Sequence, residues 1–323
     1  MKKQRASIDI GSNSTLLLIS NQDDITNPLA QKNFSSITML GKGVRECKQF
    51  SQESMEKTYQ CIKTYCEIIQ EHSIPKEQVV ITATEAARVA KNAEAFFQII
   101  FKDFGLKVSI LSPEGEAYYS ALGVSLGFDD QKNRNTVVPS ELLLIDLGGG
   151  STELTHIKTS PLTIISSSSF PIGAVTATDL QESLQLTDYL STLFKNNESL
   201  FTKFHNNTPP IVAIAGTFTS LANIILGHSN SFSCNIHGAT ISVEHIDTTV
   251  KQLSQDNAQM LKMKYPFLKD RANSIAAGGV VATQLLKQLQ VTSLSISTFG
   301  LRHGILYAGK IQEKFFWPSS QGQ

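Results

Sequence analysis

The chain has 323 residues, 41% hydrophobic and 17% charged, with 28 basic side chains balanced by 28 acidic ones. This length suits about two domains of ordinary size, and the charged share falls below the roughly 25% usual for globular proteins. A net charge of zero argues against attraction of nucleic-acid polymers or an acidic membrane through the overall field, while leaving room for anions held locally.

Cys47, Cys61, Cys66 and Cys234 form no CxxC pair and no ligand-like grouping with histidine, so a reduced, cytoplasmic chain is expected. The opening MKKQRASIDI passes from basic residues straight into a strand-like segment. No run approaches the roughly 18 apolar residues a membrane helix needs, so neither secretion nor membrane insertion is expected.

Apolar runs of strand length alternate with helical patterns, as in an α/β protein. Ser7–Ile10 and Thr15–Ser20 read as strands joined by the polar turn Gly11-Ser12-Asn13-Ser14. A helix is predicted near Glu53–Glu71, with Met55, Tyr59, Ile62, Cys66 and Ile69 on one face. Val79–Thr82 is a strand running into a helical stretch, Glu85–Phe101; Val108–Leu111 is a strand and Glu114–Leu126 a helix. Gln131–Ser140 is polar and reads as an exposed connection between domains.

The second half repeats the opening. Glu141–Asp146 is a strand, Gly148–Thr152 a turn and Glu153–Ile157 a return strand. In both Ile8–Thr15 and Ile145–Thr152, Asp closes an apolar strand, Gly follows two residues later and Ser-Thr completes the turn. Two copies at domain spacing suggest an internal duplication. The expected domains are 1–124 and 125–302, with a helix at about 303–316 able to pack back on the first. Ser166–Ser169 suits a strand or its edge. Ile211–Ala215 is a strand entering Gly216–Ser220 and a helix to about Leu226; Arg271–Leu289 is helical and Leu294–Ser297 strand-like. Gly300–Gly304 leads into a last helix near Ile305–Phe315.

A Gly/Ser/Thr turn after a buried strand presents successive backbone N–H groups in one direction, a nest for phosphate oxygens that needs no cationic side chain. The candidate phosphate-binding residues are therefore Gly11, Ser12, Asn13 and Ser14 in the first turn, and Gly148, Gly149, Gly150, Ser151 and Thr152 in the second. Hydroxyls of Ser14, Ser151 and Thr152 can add donors. Asp9 and Asp146 stand before the turns, where a carboxylate can hold Mg²⁺ directly or through water. The seven histidines show no HExxH or similar spacing, and Val243–Asp247 suits a strand or helix start better than a metal cluster.

The two hairpins resemble the phosphate motifs of the actin-like ATPase superfamily. More narrowly, the chain resembles the exopolyphosphatase / guanosine pentaphosphate phosphohydrolase family. The matching segments run in order: Ile8–Thr15, Thr84–Asn92 (TEAARVAKN), Glu114–Ala121 (EGEAYYSA), Ile145–Leu154 (IDLGGGSTEL), Phe170–Val175 (FPIGAV), Gly216–Ala222 (GTFTSLA) and Gly300–Leu306 (GLRHGIL). The resemblance implies two actin-like (ribonuclease H-like) α/β domains with an interdomain cleft, and an Mg²⁺-dependent hydrolase acting on polyphosphate or guanosine pentaphosphate. It implies Glu116 as the catalytic glutamate acting on water, Asp146 and Glu153 as essential acids, and Arg88 as an arginine facing substrate phosphates. From the residues alone, Glu116 reads as a solvated acid on a helix's first turn, and Arg88 as a surface partner of Glu85.

Four positions depart from the family pattern. Gly115 precedes Glu116 where two adjacent glutamates are usual, Tyr118 stands where arginine is common, Ala215 replaces a frequent glycine and His303 a glutamate. These departures motivate an alternative, a guanosine tetra- or pentaphosphate sensor with little turnover; a sugar-type kinase of the same superfamily is a further rival. The helical C-terminal extension of longer members is not expected here, which together with the neutral charge points away from very long polyphosphate chains. A role in the stringent response follows from the same resemblance, and a homodimer is left open.

Overall fold

The computed structural model describes residues 4–128, 139–205, 208–228 and 236–318. Most of the connection expected at Gln131–Ser140, and Cys234, lie outside them. The chain divides into two compact units, residues 1–134 with 299–323, and residues 135–298. Among the described residues no helix is long and apolar enough to cross a membrane.

In the first unit, β1 (Gln4–Ile10), β2 (Ser14–Asn21), β3 (Lys32–Ile37), β4 (Val79–Ala83) and β5 (Val108–Ile110) form a sheet in the order β3-β2-β1-β4-β5. The first three strands are antiparallel, while β1, β4 and β5 run parallel. Ala6, Ile8 and Ile10 on one face of β1, and Leu17, Leu18 and Ile19 on both faces of β2, are buried, because helices cover the sheet. Those helices include α1 (Val44–Cys47), α2 (Gln52–Glu71), α3 (Glu85–Val89), α4 (Ala93–Phe104) and α5 (Pro113–Phe128).

Three local outcomes differ from the sequence pattern. On α2 the buried line is Ser54, Thr58, Cys61, Ile62, Tyr65 and Ile69; Met55, Tyr59 and Cys66 flank it, half-buried. Hydroxyl side chains hold two core-facing positions because each bonds to the backbone, Thr58 Oγ1 to Ser54 O at 2.8 Å and Ser54 Oγ to Met39 O at 3.0 Å. The helical stretch Glu85–Phe101 is interrupted between α3 and α4. Lys91 N–H donates to Lys48 O, and the Asn92 amide brackets the backbone of Phe50, so distant partners satisfy the groups that a continuous helix would have paired. The last helix spans Leu301–Ala308 and not Ile305–Phe315, because Gly309 adopts φ 72° and its N–H closes on Ile305 O.

That C-terminal helix lies directly against α5 in the same unit. A Cβ on Gly304 would stand 2.0 Å from Tyr119 O, and one on Gly123 would stand 2.1 Å from Gly300 O. Glycine at both positions lets the two backbones touch.

In the second unit, β6 (Glu141–Leu147), β7 (Thr152–Thr159), β8 (Leu162–Phe170), β9 (Ile211–Ile214), β10 (Thr240–Ser242) and β11 (Ser293–Ile296) are ordered β10-β11-β9-β6-β7-β8. Strands β6–β8 are antiparallel and β6, β9 and β11 parallel, with β10 added antiparallel at the edge. Without β10, the order and directions repeat those of the first sheet. Both units therefore carry the ribonuclease H-like core of actin-like domains, opening on the same hairpin. The Ser166–Ser169 run lies in β8, at the other edge of the sheet.

The helices of this unit are α6 (Ala174–Glu182), α7 (Leu186–Asn196), α8 (Glu198–Thr202), α9 (Ala215–Ile225), α10 (Val243–Leu253), α11 (Ala258–Lys264) and α12 (Ile275–Gln288). Val243–Asp247 starts α10, where Ser242 caps the helix and Asp247 pairs with Lys251 and Lys287. The stretch Arg271–Leu289 is a 3₁₀ segment ending at Asn273 followed by α12.

Substituting Gly304→Ala forces the C-terminal helix off α5 and lowers stability by roughly 3 kcal/mol. A lower denaturant midpoint for the first unit is the expected reading; an unchanged midpoint would mean that the two helices are not in backbone contact.

Candidate active site

Each hairpin turn is closed in the same way. Gly11 N–H donates to Ser14 O at 2.9 Å, and Gly148 N–H to Ser151 O at 3.0 Å. Each is also braced by the segment that follows the third strand of its sheet. In the first unit, Thr38 and Met39 N–H donate to Asn13 O, and Gly41 N–H donates to Ser12 O. In the second, Ala174 N–H donates to Gly148 O and Val175 N–H to Gly149 O. The braces sit so close that a Cβ on Gly173 would lie 2.5 Å from Gly149 C and O, and one on Gly41 would lie 2.6 Å from Ser12 Cβ. The turn carbonyls are thereby engaged from behind. The N–H groups of Ser12, Asn13 and Gly149 have no protein acceptor among the described residues, the arrangement an anion nest requires.

Not every hydroxyl of the turns is available to a ligand. Thr152 is buried and donates to Ile172 O at 2.6 Å, so its proton serves the brace. Ser12 Oγ donates to Glu85 Oε2 at 3.2 Å.

The strand-end acids divide between the units. Asp9 lies on β1, in register with Leu16 on one side and Thr82 on the other. Asp146 on β6 is paired with Glu153 across the hairpin and with Ile214 of β9. Glu153 is buried and accepts a hydrogen bond from Ser169 Oγ at 2.8 Å. No group of three or more metal-ligating side chains occurs among the described residues. One or two carboxylates at a phosphate nest nonetheless fit Mg²⁺, which keeps water ligands and takes further oxygens from the substrate's phosphates.

Glu116 and Arg88 are brought together in the first unit. Ser112 caps α5 by accepting Gly115 N–H at 3.1 Å, with Pro113 at the first helical position. This places Glu116 one turn in, where Arg88 Nη1 reaches its Oε2 at 2.9 Å and also donates to Leu111 O at 2.9 Å. The side chains are only 9% and 12% exposed. Arg88 is thus a largely buried partner of the glutamate, and the pairing with Glu85 read from sequence spacing does not form. Glu85 pairs instead with Arg45 at 2.7 Å. Burial pushes the Glu116 carboxyl above its ordinary pKa, Arg88 pulls it back, and the nearby Glu85 charge adds to the upward push.

The family departures have local explanations. Gly115 faces Phe315, whose Cβ would stand 2.8 Å from any Cβ placed there. Tyr118 stacks on the same ring at 4.9 Å. His303 is buried, accepting Gly300 N–H through Nδ1, with Nε2 3.2 Å from Gln31 Oε1. Ala215 takes φ 68°, the left-handed region where the glycine it replaces is unstrained.

Sequence reading missed Arg271. Its guanidinium lies over Gly216 and donates to Ser220 Oγ at 3.2 Å, and desolvation alone lowers its pKa. Among the described residues this cation beside the start of α9 has no carboxylate partner; its signal was an arginine just ahead of the small-residue run Ala276–Gly279.

Two hairpin turns, each braced from the segment after its third strand, on a duplicated ribonuclease H-like core, with strand-end acids and an arginine-held glutamate, mark a protein of the actin-like class. The chain matches the Ppx/GppA phosphatase family over residues 7–312 and belongs to it. A bifunctional 3-dehydroquinate synthase/phosphatase of Fusobacterium nucleatum subsp. nucleatum is 36% identical over 155 residues, 47% of this chain and 22% of that protein. The match thus spans about a fifth of that relative's length. A Ppx/GppA family member from Aquifex aeolicus is 27% identical at a TM-score of 0.69, covering 95% of this chain and 97% of that one. An exopolyphosphatase from Cytophaga hutchinsonii shares the fold, with a TM-score of 0.78, 22% identity and coverage of 95% and 97%.

Gly173→Ala pushes the second turn off its brace and is expected to lower the stability of the second unit by roughly 1–3 kcal/mol, read as a lower denaturant midpoint. An unchanged midpoint would show that the brace does not set the turn.

Proposed function

We propose that the protein is an Mg²⁺-dependent phosphohydrolase that releases the terminal phosphate of inorganic polyphosphate, guanosine pentaphosphate or both. The observation that supports this most is Glu116, a carboxylate held by Arg88 near the first phosphate turn. In the reaction, a water oxygen attacks the terminal phosphorus in line, the bridging P–O bond breaks and the water's proton passes to Glu116. Arg88 fixes the carboxylate and adds positive charge for the phosphate oxygens. Each turn offers its own backbone N–H groups to phosphate oxygens. Within the second unit Asp146 would hold Mg²⁺, with Glu153 steadying Asp146 or a water, and Asp9 is the corresponding candidate of the first unit; the ion would supply neutralisation of phosphate charge. Because binding rests on local groups, the net charge of zero limits substrate length more than substrate chemistry.

Glu116→Gln removes the proton acceptor and lowers phosphate release by about 10²- to 10⁴-fold while the fold persists. Initial rates with short polyphosphate, long polyphosphate and guanosine pentaphosphate test this and rank the substrates. A parental rate in the variant would remove Glu116 from the reaction. Tight binding of guanosine tetra- or pentaphosphate by the parent protein, with no release over hours, would make it a sensor.

The pH dependence has a definite sign. Glu116 acts when ionised and its pKa is raised in the folded protein, so the acidic limb of kcat/KM lies above the ordinary 4.5. The same shift makes this group's contribution to stability fullest below 4.5 and lost as pH rises through the raised value. A limb at or below 4.5 would contradict the assignment.

A further inference from the structure

One short stretch of backbone anchors both members of the Arg88–Glu116 pair. Leu111 O accepts Arg88 Nη1 at 2.9 Å, and the next residue, Ser112, caps the helix that carries Glu116. Both anchors are held in turn by the tail of the chain, which belongs to the same unit. Leu111 pairs with Phe316 in an antiparallel bridge, and Ser112 N–H donates to Phe315 O at 2.9 Å. Trp317 N–H donates to Ile110 O at 2.8 Å, so residues 315–317 lie along the end of β5 as an added edge. Further back, Gln312 N–H donates to the Tyr119 hydroxyl at 3.0 Å, which ties the tail to α5 itself.

The tail also presses on the first turn of α5. A Cβ on Gly115 would stand 2.8 Å from Phe315 Cβ and 2.9 Å from Phe315 O. Glycine is a poor residue for a helix, and its place immediately before Glu116 is explained by the room it leaves for the tail. The Phe315 ring is buried, stacks on Tyr118 at 4.9 Å and meets Tyr119 edge-on at 5.6 Å. Contacts of this kind set a ring's orientation as well as burying its surface.

We propose that Phe315 is a positioning residue for Glu116: packed against Gly115 and Tyr118, it fixes the first turn of α5 so that the carboxylate stays within reach of Arg88. The proposal rests on the functional reading above and extends it to a residue far from Glu116 in sequence. Its effect on rate comes through geometry, since a reacting group misplaced by about 1 Å can cost on the order of 100-fold.

The first measurement is phosphate release with Mg²⁺ from inorganic tripolyphosphate and from guanosine pentaphosphate, at a temperature where circular dichroism shows each variant folded. With the better substrate, Phe315→Ala is expected to lower kcat about 10- to 100-fold and to leave KM within about threefold. Phe315→Leu, which refills most of the space, is expected to recover much of the rate. The second measurement needs no turnover. The Glu116 carboxyl, faced by Arg88 and Glu85 of α3, is titrated by carbon NMR with and without Arg88→Met. That change raises the midpoint in the parent protein, and in Phe315→Ala it is expected to raise it by about half as much or less, because the two groups are no longer held together. If Phe315→Ala does not fold, Gly115→Ala pushes the tail away from the other side and serves in both measurements.

A parental kcat, a loss confined to KM, or an Arg88→Met effect of full size in Phe315→Ala overturns the proposal. The functional reading fails separately. A parent protein that releases no phosphate from either substrate, but whose Arg88→Met effect shrinks in Phe315→Ala, loses the hydrolase and keeps the positioning role.

Discussion

The first unit is organised around the ion pair between Arg88 and Glu116. A carboxylate this enclosed is costly to ionise, and removing one partner of such a pair leaves an uncompensated buried charge. The opposing pulls of burial and guanidinium set where Glu116 changes charge. Their balance leaves it a basicity above that of an exposed glutamate. Much of the surrounding structure can be understood as what keeps the two groups in place.

Arg88 is anchored by Leu111 O at the end of β5, and Glu116 by a helix whose cap is Ser112. Ser112 N–H in turn donates to Phe315 O, so the tail beyond the C-terminal helix helps fix the start of α5. The glycine contact between that helix and α5 brings the tail within reach, and the Phe315 ring fills the space beside Gly115 and Tyr118. The departures at Gly115 and Tyr118 thus form one packing arrangement with Phe315. Helix α3 joins this assembly to the first hairpin turn, because Glu85 and Arg88 lie one turn apart and face Ser12 and Glu116 respectively.

What could be read from the sequence was whatever is local. The paired Asp-x-Gly turns, the strands before them and the amphipathic α2 follow from patterns of a few residues, and the duplication they imply reappears as a common five-strand order, to which the second sheet adds β10, and as two braced turns. What could not be read depends on partners distant in sequence. Asn92 breaks a helix because Phe50 is there to be bracketed. Thr152 gives its hydroxyl to Ile172, whereas the motif alone offered it to phosphate. Arg88 pairs with the distant Glu116 and not with Glu85 three residues away, and Arg45, forty residues off in sequence, pairs with Glu85. Helices α6–α8 passed unread since their polar faces hide a periodicity that the buried Leu186, Leu190 and Phe194 make plain.

The account stands or falls on the charge state of Glu116. Its carboxyl can be titrated directly by carbon NMR in protein labelled at glutamate, with Glu116→Gln identifying the signal. The account predicts a midpoint above the ordinary 4.5 in the parent protein, moving higher still when Arg88→Met removes the opposing charge. A Glu116 midpoint at or below 4.5, or one that Arg88→Met leaves unmoved, would contradict it.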